Sequence, residues 1–200
     1  MMGQTTVSSK TISRRQAAFS VQNVVRQSDH PIIALDGRCG SGKTTWAEQL
    51  AKDNNLFLVH ADDYFLQLHQ RTEERLNTPG ENVDWERIEE QVLLLYSRQE
   101  PVILQKFDCA TKTLQDKTTA DLSGYQGLLI EGSYSLHERL LPYYSLSLFL
   151  DIDPAAQQKR LQKRESKESF LMFLSRWIPL EEFYISRKHP DLKADCIVES

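Results

Sequence analysis

Gly37, Gly42, Lys43 and Thr44 stand at the spacing G-x-x-x-x-G-K-[ST], after the apolar run "PIIALD" and before the helix formers "WAEQLAKD". A turn of this kind between a strand and a helix surrounds an anion with backbone N–H groups, where the helix start also gathers partial positive charge. Glycines at 37, 40 and 42 let the chain curl around phosphate oxygens, and Ser41 and Thr45 complete the nucleotide-holding set. Lys43 is placed to reach the β- and γ-phosphates, and the Thr44 hydroxyl to ligate Mg²⁺. The chemistry to expect is therefore that of a bound nucleoside triphosphate.

Three further groups suit that chemistry. "HADDYF" (60–65) follows an apolar strand and brings Asp62 and Asp63 to its carboxyl end. Moving a phosphoryl group onto a hydroxyl needs an acceptor for the hydroxyl proton, and one of these aspartates fits the task. "LLIEGSY" (128–134) delivers Glu131 at the end of another buried strand, where an acid can hold Mg²⁺ directly or through water. "QQKRLQKRESK" (157–167) sets Arg160 and Arg164 four residues apart on one helix face. Such a run is either a solvated surface or a lid that swings arginine onto the transferring phosphoryl; a lid over about 157–175 is the expectation. A GTPase is disfavoured, because no Asn-Lys-x-Asp occurs and "DLSG" (121–124) precedes its strand instead of following one.

The elements that must position these residues alternate along the chain. Strands are expected at 31–37, 56–60, 101–107, 127–132 and 145–153, with a short last one in "ADCIVES". Apolar runs of five or six residues without alternation are buried on both faces, as in a parallel sheet between helices. The expected fold is α/β, a doubly wound three-layer sandwich on a five-stranded, mainly parallel sheet, with ligands outside the strands' carboxyl ends. "DWERIEEQVLLLYSRQ" reads as a helix capped by Asp84.

Two hundred residues suit one domain with a sizeable core. A net charge of −4 argues against general nucleic-acid binding. Three scattered cysteines fit no disulfide framework or zinc spacing and point to a reducing cytosol, and no apolar run approaches a membrane span. The first 28 residues hold four basic residues and no acid, a composition shared with transit peptides. Ala17, Val21, Val24 and Val25 nevertheless fall at i, i+4, i+7 and i+8, so residues 1–28 are expected to pack as a helix on a 29–200 domain.

"GRCGSGKTT", "ADDYF", "VDWERIEEQ", "KFDCATKTL", "LLIEGSYSL" and "SLFLDIDPAAQQKRLQKR" occur in the order found in the uridine kinase family, which "RWIPLEEFYISRKHPDLKADCIVE" also resembles. The likeness covers roughly residues 30–200 and extends to the nicotinamide riboside kinase and pantothenate kinase relatives. It implies the P-loop nucleoside-kinase fold, ATP and Mg²⁺, and a small-molecule acceptor bearing a ribose or similar group. It implies Asp62 as catalytic base and, with Thr44 and Glu131, as a member of the metal-holding set, with Lys43 and the lid arginines Arg160 and Arg164 acting on the phosphoryl group. Asp84 matches the aspartate that holds ribose hydroxyls, and Tyr64 joins it on the acceptor side. Phe107 and Lys112 stand where the family has base-reading Tyr and His. An ammonium donates and never accepts, so Lys112 leads to an expected preference for acceptors with carbonyl or anionic groups, with uridine a poor substrate and nicotinamide riboside a worse one. The resemblance further suggests a cytoplasmic enzyme without nucleic-acid or membrane partners, monomeric or a homo-oligomer. The rival from another class is a P-loop ATPase or nucleotide-binding regulatory module with no acceptor.

Overall fold

The computed structural model describes residues 10–199. The first nine residues of the expected 1–28 segment, and Ser200 at the end of the expected 29–200 domain, lie outside the described residues.

The described residues begin with β1 (Lys10–Ile12), α1 (Arg14–Gln27), β2 (Ile32–Gly37), α2 (Lys43–Asn54), β3 (Leu56–His60) and α3 (Glu73–Leu76). One helical stretch follows, formed by α4 (Trp85–Ile88), a π turn at Glu89–Leu93 and α5 (Leu94–Ser97). Four short strands, β4 (Val102–Leu104), β5 (Phe107–Asp108), β6 (Thr113–Leu114) and β7 (Thr118–Ala120), precede β8 (Gly127–Glu131) and β9 (Leu146–Asp151). The last part is α6 (Pro154–Arg164), α7 (Lys167–Met172), a π turn at Phe173–Trp177, α8 (Ile178–Lys188), α9 (Pro190–Lys193) and β10 (Cys196–Glu199).

Six strands form the central sheet in the order β1-β10-β9-β2-β8-β3, and every pair is parallel. β2 lies inside it with all six residues buried, as its unbroken apolar run requires. Because side chains alternate across a strand, Ile33 and Leu35 face α1 and α2, meeting Ala17, Val21, Ala47 and Leu50. Ile32 faces the other way, into the layer of Ile88, Val92 and Leu93. The sheet is thus covered by helices on both faces, the doubly wound α/β arrangement.

Two expectations about strands change. The central sheet has six strands instead of five: the segment at 101–107 drops out, while β10 joins beside β9 and β1 adds an edge beside β10 through the register Lys10–Cys196, Thr11–Ile197 and Ile12–Val198. Only Ile12 of β1 is buried, so this strand has no apolar run by which to announce itself. The expected strand at 101–107 is not in the central sheet. β4 pairs antiparallel with β7, and β5 with β6, as two small local ribbons.

Local chemistry sets the helix starts. Ser13 and Gln16 form a reciprocal capping box at α1, and Asp153 accepts from Ala155 and Ala156 N–H at α6, with Pro154 in the first turn. Asp84 caps α4 by accepting the Arg87 N–H.

Candidate active site

The carboxyl ends of β2, β8 and β3 lie side by side, so the loops after them share one edge of the sheet. The glycine-rich loop leaves β2 at Gly37, whose φ of 143° is a glycine conformation; a Cβ there would run into the backbone carbonyl of Leu150. Gly42 stands at the N-cap of α2 with φ 90°. Lys43 is buried, and its Nζ donates to the carbonyls of Gly37 at 2.7 Å and Arg38 at 3.0 Å. The ammonium is therefore held across the mouth of the loop.

Thr44 and Glu131 meet from α2 and β8. The Thr44 hydroxyl lies 3.3 and 3.4 Å from the two carboxylate oxygens, and His60 Nδ1 sits 2.6 Å from Glu131 Oε1. The hydrogen bond to Glu131 raises the His60 pKa above its ordinary value. A carboxylate and a hydroxyl are hard oxygen donors of the kind Mg²⁺ takes, and this ion fills its remaining positions with water and phosphate. No group of three or more acidic, His or Cys side chains converges among the described residues, so a site here would depend on those outside ligands.

A cavity of about 290 Å³ opens in front of the loop. Lys43, Thr44, Thr45, Asp62 and Glu131 are among its polar lining residues. Five aromatic residues, Tyr64, Phe65, Tyr134, Phe173 and Trp177, line it as well, together with Asn82. Asp62 lines this concave space and stays exposed; the protein packed around its carboxylate raises its pKa, while Lys43 pulls it back down. Asp63 takes a different direction and pairs with Lys106 at 2.8 Å. The structure therefore gives the two adjacent acids different surroundings, Asp62 at the cavity and Asp63 in an ion pair.

The other expected residues divide. Tyr64 lines the cavity and carries the Arg87 guanidinium 5.0 Å from its ring centroid. Arg164 reaches the cavity and pairs with Glu165 at 2.6 Å. Arg160 does not line it; its Nη1 donates to the carbonyls of Gly40 at 3.4 Å and Ser41 at 3.1 Å. Asp84 is also absent from the cavity wall. It is fully buried, and Oδ2 accepts from Arg87 Nε at 2.7 Å, so its expected place beside a ribose gives way to capping and ion pairing within α4. Phe107 is buried under the Arg71 guanidinium, 5.1 Å from its ring centroid. Lys112 stands exposed in the β5–β6 hairpin with φ 59°. Neither contributes to the cavity, so the preference derived from Lys112 for carbonyl or anionic acceptors loses its footing.

Two buried acids escaped the sequence reading. Asp36, directly before the loop, accepts from the N–H groups of Gly37 at 2.6 Å, Tyr134 at 3.1 Å and Leu136 at 3.0 Å, and from the Tyr184 hydroxyl at 3.1 Å. Burial pushes its pKa up to about 6. Glu181 on α8 lines the cavity; Oε2 accepts the Cys39 N–H at 2.6 Å and Oε1 accepts from Gln157 at 2.9 Å. Burial raises its pKa as well, with Lys43 the main opposing influence. The available signal was an acid embedded in an apolar segment, "ALDG" for one and "IPLEEF" for the other.

A family model described as an AAA domain matches residues 32–120. No curated protein matches the chain. Among solved structures, it is similar to a possible uridine kinase from Bacillus stearothermophilus at 21% identity and TM-score 0.68, over 92% of this chain and 98% of that one. It is also similar to a candidate fructose transport system kinase from Silicibacter sp. TM1040, at 22% identity and TM-score 0.57 over the same shares of the two chains. YFH7 from Saccharomyces cerevisiae, a candidate P-loop kinase with a circular permutation, aligns at 14% identity and TM-score 0.62 over 94% of this chain and 99% of that one. At these identities the likeness is one of fold. Among the described residues no helix is long and apolar enough to cross a membrane. With its glycine-rich loop seated between β2 and α2, the chain shares the α/β fold of these solved structures.

Proposed function

We propose that this chain is an ATP- and Mg²⁺-dependent kinase that moves the γ-phosphoryl onto a hydroxyl of a small molecule, most suitably a nucleoside or another ring-bearing ribose compound. The observation that carries the reading is the cavity itself. It brings Asp62, Lys43, Thr44 and Glu131 to one space and lines that space with five aromatic side chains suited to an acceptor.

The phosphates would lie in the loop's N–H groups with Lys43 on the β- and γ-oxygens, exchanging its two loop carbonyls for charged partners. Asp62 would accept the proton of the acceptor hydroxyl as its oxygen bonds to the γ-phosphorus and the bond from that phosphorus to the bridging oxygen breaks, leaving ADP. A raised pKa makes Asp62 a stronger base, and the nearby ammonium favours its ionised form. Thr44 and Glu131 would hold Mg²⁺, which when bound offsets the negative charge of the phosphates. Phe65 and Trp177, with ring centroids 6.4 Å apart, offer apolar faces to a planar ring, and Asn82 offers both a donor and an acceptor to its edge. Arg164 is the better placed of the two lid candidates, since it alone lines the cavity. The cytoplasm suits an enzyme drawing on ATP.

The deciding experiment is ADP release over a panel of nucleosides, vitamin precursors and sugars. Acceptor-dependent ADP formation that disappears in Lys43→Ala is the expected result. ADP and phosphate release at the same rate without any acceptor would favour the ATPase reading instead.

A further inference from the structure

Arg14 opens α1, in a segment with no part in the expected nucleotide site. The capping box between Ser13 and Gln16 satisfies backbone N–H groups of that first turn, and the guanidinium extends from it to the phosphate loop. Arg14 Nη2 donates to the Ser41 carbonyl at 2.9 Å, and its Cζ lies 5.6 Å from the Trp46 ring centroid. Arg160 Nη1, arriving from α6, donates to the same carbonyl at 3.1 Å.

Two cations on one carbonyl repel each other. Burial first and Arg160 second push the Arg14 pKa below its usual value. Among the described residues no carboxylate pairs with Arg14, and its Nε is buried without a hydrogen-bond partner. A half-buried guanidinium without a counter-ion and facing another cation is unfavourable unless it serves an anion nearby. The peptide unit it grips shows where that anion belongs. The Ser41 carbonyl shares a plane with the N–H of Gly42, the residue at the N-cap of α2 that also lines the cavity.

We propose that Arg14 is a positioning residue for the nucleotide, which fixes and polarises the Ser41–Gly42 peptide from outside the loop and makes α1 part of the phosphate site. A carbonyl that accepts charge-assisted hydrogen bonds leaves the amide at the other end of its peptide a stronger donor. The guanidinium also adds attraction for phosphate across the thickness of the loop. This inference rests on the reading that the loop holds nucleotide phosphates, and it does not depend on the identity of any acceptor.

The test is calorimetric titration of MgADP into the full chain carrying Arg14→Met, Arg14→Gln or Arg14→Lys. Methionine keeps an apolar stem beside Trp46 and removes the charge; glutamine keeps one donor; lysine keeps the charge. The expected result is MgADP binding weakened about tenfold in Arg14→Met, about 1.4 kcal/mol. Arg14→Lys should recover part of that loss, with nucleotide-free unfolding midpoints within a few degrees of wild type. Affinity within twofold of wild type in both Arg14→Met and Arg14→Gln overturns the inference. So does an equal loss in all three variants accompanied by a matching fall in nucleotide-free stability, which would make Arg14 a packing residue only. A wild-type chain that binds no MgADP overturns the nucleotide reading and this inference with it. MgADP binding without phosphorylation of any acceptor leaves the inference standing and removes only the kinase assignment.

Discussion

The Asp36 carboxylate accepts the Tyr184 hydroxyl at 3.1 Å, although 148 positions separate the two residues. Through this contact the strand entering the phosphate loop is tied to α8, the helix that also brings Glu181 to the loop's Cys39. Both elements must be docked before the loop has its final shape.

Asp36 titrates in a way that a stability measurement can read. Its folded pKa of about 6 exceeds the ordinary 3.8, so between those values the folded state binds more protons than the unfolded one. The stability contribution is complete below about pH 4 and is lost as pH rises through about 6, a change on the order of 2–3 kcal/mol. Glu181 and Asp62 are shifted in the same direction, so the informative quantity is the difference between wild type and Asp36→Asn. Urea unfolding from pH 4.5 to 7 should show a flatter profile in the variant; parallel profiles would remove Asp36 as the source.

Asp62→Asn and Asp63→Asn should separate sharply. Asp62 faces the cavity, so its loss should reduce kcat about 10²–10⁴-fold, the usual worth of a positioned base, while MgADP still binds. Asp63 is paired with Lys106, and its loss should cost less than about tenfold, in keeping with a partly exposed ion pair. The reverse ranking in steady-state kinetics would transfer the base assignment to Asp63.

Trp177→Ala tests the acceptor chamber apart from the phosphate loop. The indole lines the cavity beside Phe65 and takes no part in the loop's hydrogen bonds. Acceptor KM should rise about tenfold or more, in line with losing an aromatic contact and its buried area, while KM for ATP changes little. Equal increases in both constants would place the ring outside the acceptor subsite.

Gly37→Ala should destabilise the fold by about 3 kcal/mol or more, since it combines a disfavoured φ with a collision against backbone. Gly124 is the control, because no atom lies within 4 Å of a Cβ built there. Thermal unfolding of Gly124→Ala should stay near wild type, and comparable losses in the two variants would count against the collision.

The parts legible in the sequence were those governed by local rules. Residue spacing defined the phosphate loop, because a tight anion-binding turn needs its glycines and lysine at fixed offsets between a strand and a helix. Unbroken apolar runs marked the buried parallel strands, and their carboxyl ends located Asp62 and Glu131. Capping chemistry located the start of α4.

What tertiary structure decided were partnerships between segments distant in sequence. β1 is a strand only because β10 offers it an open edge, and the segment at 101–107 leaves the central sheet because β7 and β6 supply nearer partners. Asp84 and Arg87 satisfy each other in the interior, so an acid that the motif order assigns to a ribose is already occupied. Asp36 on β2 takes the hydroxyl of Tyr184 from α8, and Glu181 and Arg14 reach the phosphate loop from α8 and α1. No spacing rule encodes such contacts, because burying a polar group requires some compensating partner, and only packing determines which residue provides it.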